Sequence, residues 1–80
     1  MKKYYVIGGE NRYYCYGGAD TLSAAKRLAS RNIEYHGSHP VYPAIYRMEE
    51  VELDGNNYRP CFGAHPLATR RYGCNWIIVG

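Results

Sequence analysis

Apolar and polar positions along this chain divide it into six segments separated by turn residues. Lys3 to Ile7 is rich in β-formers (Tyr-Tyr-Val-Ile) and reads as a strand. The turn signal Gly8-Gly9-Glu10-Asn11 leads into a second strand at Arg12 to Tyr16, with Gly17-Gly18 expected to end the hairpin. The period then changes. Leu22, Ala25, Leu28, Ala29 and Ile33 fall on one side at 100° per residue, and Ser23, Lys26, Arg27, Ser30 and Arg31 on the other. This predicts a helix over about 21–33, capped by Asp20 or Thr21 and closed by Gly37. Ser38 to Pro43, with Pro40 and Pro43, is expected to be a loop, and Ala44 to Leu53 a long strand. The turn Asp54-Gly55-Asn56-Asn57 precedes a short return strand, Tyr58 to Phe62, which Pro60 confines to an edge or a bulge. A loop over 63–73 and a last strand from Cys74 to Val79 complete the order β-β-α-β-β-β. The fold class expected is α+β: one α-helix packed on a curved antiparallel sheet of about five strands.

Length adds that residues 1–80 make a single domain. A chain of this size buries only about 60% of the surface its unfolded form exposes, which leaves little interior for a deep substrate cavity. Ten tyrosines against one Phe and one Trp fit that thin core, because the ring closes it while the hydroxyl reaches water. The same residue is favoured at binding surfaces. Three cysteines, Cys15, Cys61 and Cys74, are an odd count without a Cys-x-x-Cys pair, so a reducing compartment and no disulfide framework are expected. No apolar run is long enough to span a membrane.

Net charge is only +3, but it is unevenly placed. Residues 1–33 carry Lys2, Lys3, Arg12, Lys26, Arg27 and Arg31 against Glu10 and Asp20. Residues 43–54 reverse the sign, with Arg47 against Glu49, Glu50, Glu52 and Asp54. Arg59, Arg70 and Arg71 follow. Such separation suits a charged partner, protein or nucleic acid.

The basic helix face is the strongest signal for function. Exposed helices usually mix signs, since Glu-to-Lys pairs one turn apart are stabilising. Here Lys26, Arg27 and Arg31 stand with small serines and no acid, which lets a broad partner approach closely. The alternative is a solvated face without a partner. His36 with His39, and Cys61 with His65, have spacings that zinc tolerates but lack a finger or ribbon pattern. No nucleophile has a local base motif, and the glycine pairs lack the lysine of a phosphate loop. Tyr13, Tyr14 and Tyr16 beside Arg12 offer a stacking platform for a single strand, with neighbours alternating between faces. The chain is therefore expected to bind rather than to catalyse, without cofactor or metal.

The stretch Thr21-Leu22-Ser23-Ala24-Ala25-Lys26-Arg27-Leu28-Ala29-Ser30-Arg31, followed by Tyr35-His36-Gly37, resembles a family of very small phage anti-CRISPR proteins that inhibit the type I-F surveillance complex (Cascade). A Lys-aromatic first strand, a strand like Tyr46 to Gly55 and a Trp at the place of Trp76 follow in the same order. The resemblance is good over about sixteen residues around the helix, and the strands match in type and order only. Ile33 departs from it, standing where the family has a polar contact residue. Extra residues around Ser38 to Pro43 and Gly63 to Gly73 depart too. The resemblance implies a steric inhibitor that binds the backbone subunits of the complex and blocks hybridisation of target DNA to guide RNA. Its contact face would comprise Lys26, Arg27, Ser30 and Arg31, with Tyr35 and His36 at the helix exit. Arg70 and Arg71 are secondary candidates for the partner or for nonspecific DNA contact. The implied location is the cytoplasm of a bacterial host, with the gene carried by a phage or mobile element. A small basic nucleic-acid-binding or assembly module of phage or bacterial origin is the alternative.

Overall fold

The computed structural model describes residues 2–9 and 13–79, so Glu10, Asn11 and Arg12, and with them the second half of the expected first turn and the first residue of the expected second strand, lie outside the described residues. Strands β1 (Tyr4–Gly8) and β2 (Tyr14–Ala19) form the first hairpin, and helix α1 runs from Leu22 to Arg31. Then come β3 (Glu34–His36), β4 (His39–Val41), β5 (Ala44–Arg47), a 3₁₀ turn (Met48–Glu50), β6 (Val51–Asp54), β7 (Asn57–Pro60), β8 (Ala68–Thr69) and β9 (Ile77–Ile78). Five of these make one antiparallel sheet in the order β2-β1-β5-β8-β9. The expected α+β fold with a five-stranded antiparallel sheet is therefore present. The β3–β4 and β6–β7 pairs are separate hairpins.

Local chemistry fixes the helix. The Thr21 hydroxyl accepts the Ala24 N–H at 3.1 Å, supplying the N-cap. At the other end Asn32 leaves helical geometry, its amide donating to the Leu28 carbonyl at 2.8 Å and its backbone N–H to Ala29. The helix thus stops six residues before Gly37, the terminator expected from sequence. Gly37 instead takes φ +68 in the two-residue turn of the β3–β4 hairpin, where a left-handed residue matches strand twist. Ser38 to Pro43, expected as loop, contains β4.

The sheet has two differently built faces. On one, Val6, Ala19, Ile45 and Ala68 meet Ala25 and Ala29 of α1, all buried. Small residues one turn apart let the helix axis come close to the strands. Gly17 makes room as well: its φ is +147, and a Cβ there would lie 3.2 Å from Leu28. Gly17 and Gly18 therefore sit inside β2 rather than ending it. Between the pairs Val6↔Gly17 and Ile7↔Cys15 the register shifts, leaving Tyr16 as an extra residue on β2. That bulge turns Tyr16 toward the helix-side core.

On the other face Tyr5 stacks on Tyr58 of β7, ring centroids 4.5 Å apart. The β6–β7 hairpin reaches this face because the strand expected over 44–53 breaks after Arg47. Arg47 pairs with Tyr4, the first residue of β1, so continuing it would leave the ladder without a partner on that side. The chain turns at Met48, whose N–H donates to the Lys3 carbonyl at 2.9 Å. Asn57 then fastens the hairpin, accepting the Cys15 N–H at 3.1 Å and donating to the Tyr13 carbonyl at 3.0 Å. The final strand is Ile77–Ile78, shorter than Cys74 to Val79. The expected loop over 63–73 contains β8, seated by buried Leu67 and Ala68.

Candidate functional site

Helix periodicity puts Lys26 beside the apolar stripe and Arg27 and Arg31 farther round. Accordingly Lys26 and Ser30 are half-buried, while Arg27 and Arg31 are exposed. With Trp76 these four line a groove of about 500 Å³ whose surface is mostly carbon. The helix supplies one wall and the indole the other. Among the described residues, no ion pair or side-chain hydrogen bond engages Lys26, Arg27 or Arg31. The helix first turn holds no acid, and Arg31 in the last turn complements the negative end of the helix dipole.

Trp76 is held by an aromatic neighbour. Its ring meets Tyr42 edge-to-face at 6.0 Å, and the Arg70 guanidinium lies 4.7 Å from the Tyr42 centroid. Arg70 also donates to the Cys74 carbonyl at 2.6 Å. The structure thus gives Arg70 a positioning task behind the groove, while Arg71 is exposed in the neighbouring turn. Reading the sequence alone did not include Trp76 in the site. Its being the single Trp of a tyrosine-rich chain was the available signal.

Tyr35 and His36, expected together at the helix exit, are separated by strand alternation. Tyr35 is 70% exposed. His36 turns the other way, its Nε2 3.6 Å from Glu34 Oε1. Glu34 is a hub that sequence reading missed, because an isolated acid after Ile33 carries no pattern. Its carboxylate accepts the Gly9 N–H at 3.0 Å and the Tyr16 hydroxyl, with the side chain only 16% exposed. Burial first, then the hydrogen bond and charge of Glu34, push the Tyr16 hydroxyl up to about 12. Glu34 and His36 line a second hollow of about 330 Å³ with Tyr13, Tyr42 and Tyr46. The carboxylate ties β3 to the first hairpin.

The other constellations are dispersed. Tyr14 and Tyr16, two residues apart on β2, share a face and meet edge-to-face at 4.9 Å. Tyr13 lines the opposite hollow, so the three do not form one stacking platform. Cys15, Cys61 and Cys74 are free thiols, and burial pushes Cys15 up, keeping it protonated near neutrality. Among the described residues no three His, Cys, Asp or Glu side chains converge as metal ligands, and no helix is long and apolar enough to cross a membrane. The acidic strand is partly neutralised: Arg59 lies 3.0 Å from Glu52 and 4.0 Å from Asp54. Comparisons with protein-family models, curated proteins and solved structures gave no match for this chain.

Proposed function

We propose that this protein is a non-enzymatic steric inhibitor that docks its basic helix face on the backbone subunits of a type I CRISPR surveillance complex and blocks hybridisation of target DNA to the guide RNA. One observation carries the reading: Lys26, Arg27 and Arg31 stand together without an anionic partner among the described residues, on a helix rigidly seated on its sheet. A groove built to accommodate nucleic acid is rich in charged and polar groups, so a preorganised polar face competes there at little entropic cost. The helix segment that supports the family resemblance is the same segment that carries these residues. Bacterial cytoplasm and phage or mobile-element origin belong to this proposal.

The test is target-DNA binding by guide-loaded type I-F complex, with and without this protein and with a folded Lys26→Glu, Arg27→Glu, Arg31→Glu variant. Inhibition by the native chain and at least a tenfold weaker effect of the variant are expected, since three charge-assisted contacts become repulsions. No inhibition of this or any other type I complex defeats the reading. The same unpaired cations favour, as the second reading, a nucleic-acid-binding or assembly module. Duplex affinity that falls steeply with salt, in the absence of any surveillance complex, would select it.

A further inference from the structure

The groove beside the helix has two unlike walls, and their pairing specifies an occupant. We infer that it takes an extended acidic peptide segment in which carboxylate and apolar side chains alternate. The inference deepens the proposed function, resting on it for the idea that the helix face meets a protein partner. Along the helix wall, Arg27 and Arg31 are four residues apart, about one turn and about 6 Å along the axis, and so lie on one line. In an extended segment, side chains on one side recur about every 6.8 Å. Two carboxylates spaced in this way reach both cations, with Lys26 beside Arg27 on the same groove.

The intervening side chains of such a strand point the opposite way, toward Trp76. There the carbon-lined surface accepts an aromatic or branched aliphatic group. The occupant's alternation therefore matches the walls one for one. Tyr42 meets the indole edge-to-face and Arg70 lies over the Tyr42 ring, so the aromatic wall is formed before binding. A Trp and arginines around one groove are residue types enriched at protein-binding hot spots.

A nucleic-acid strand fits less well. Its phosphates would find cations on one wall only, and the carbon-lined floor offers them nothing. Three further cations are already engaged: Lys2 with Asp20, Arg59 with Glu52 and Asp54, and Arg70 with Tyr42 and the Cys74 carbonyl.

Trp76 is the single Trp of the chain, so its fluorescence reports occupancy of this groove directly. The probe is the blocked peptide acetyl-Asp-Phe-Asp-Leu-Glu-amide, titrated into the full chain at low salt. Its Asn/Gln counterpart and a ten-residue thymidine oligonucleotide serve as comparisons. A saturable change in Trp76 emission is expected with the acidic peptide, with at least tenfold weaker binding of the amide counterpart. An Arg27→Gln, Arg31→Gln variant with unchanged circular dichroism should lose affinity for the acidic peptide by a similar factor. A silent acidic peptide, equal binding of the amide counterpart, or tighter binding of the oligonucleotide each overturns the inference. Peptide binding without inhibition of a surveillance complex overturns the proposed function alone. Inhibition of the complex with an inert peptide overturns this inference alone.

Discussion

The two faces of the sheet solve the same packing problem with opposite materials. The helix face uses small residues: Ala25, Ala29, Ala19 and Ala68 bring α1 close, and Gly17 yields space to Leu28. The hairpin face uses large ones, with Tyr5 stacked on Tyr58 and Asn57 bonded to the β2 backbone. Their charges differ in the same sense. Arg59 on the hairpin is balanced by Glu52 and Asp54, whereas Lys26, Arg27 and Arg31 on the helix are balanced by nothing among the described residues. One face spends its polar groups on holding itself together. The other derives its stability from apolar contact and leaves its polar groups available.

That contrast can be attacked where it is strongest. Ile45 is fully buried against the helix-side cluster, so Ile45→Ala should cost about 2–5 kcal/mol, measured by urea denaturation. Asn57→Ala strips partners from the Cys15 N–H and the Tyr13 carbonyl, and should cost about 1–3 kcal/mol. Hydrogen exchange should then accelerate at the Cys15 amide while the helix amides stay protected. Alkali probes the seam that ties β3 to β2. Tyr16 holds its proton up to about 12 when folded, against an ordinary value of about 10. Its contribution is thus complete below about pH 10 and disappears as pH rises toward 12, because the unfolded chain ionises first. After solvent screening this amounts to about 1 kcal/mol, and Tyr16→Phe should flatten the fall in urea midpoint over that range. The smallest effects sharpen the comparison most. Arg59→Ala should lower stability by up to about 1 kcal/mol, as befits a half-exposed ion pair. Arg27→Ala should change it by less than about 0.5 kcal/mol, since no contact is lost.

The helix was legible because ten consecutive residues repeat a period that packing then respects, and Thr21 announces its start. The site was legible to the same extent: Lys26, Arg27, Ser30 and Arg31 share a face because helical spacing puts them there. What escaped was set by distant partners. Two-residue strands such as Ala68–Thr69 and Ile77–Ile78 are too short to show any period. The break after Arg47 depends on where β1 begins, near the start of the chain at Tyr4, and the β2 bulge depends on the register with β1. Trp76 joins the groove, and Glu34 meets Tyr16 and Gly9, only after the sheet has assembled. The helix exit escaped for a different reason: Asn32 ends it through local bonds to the Leu28 and Ala29 carbonyls, and Gly37 was the more conspicuous signal.

The Asn57 bridge also bears on how the molecule avoids its own kind. β2 lies at one margin of the sheet, where an uncovered N–H and carbonyl would template the strand of another molecule. The Asn57 amide takes both groups, standing where one peptide unit of an added strand would stand. At the opposite margin β9 is only two residues long, too brief to seed extended pairing despite exposed Ile77 and Ile78. A chain so rich in β-formers thus occupies part of one border with a side chain and keeps the other brief, and each device shortens the template offered to a second molecule.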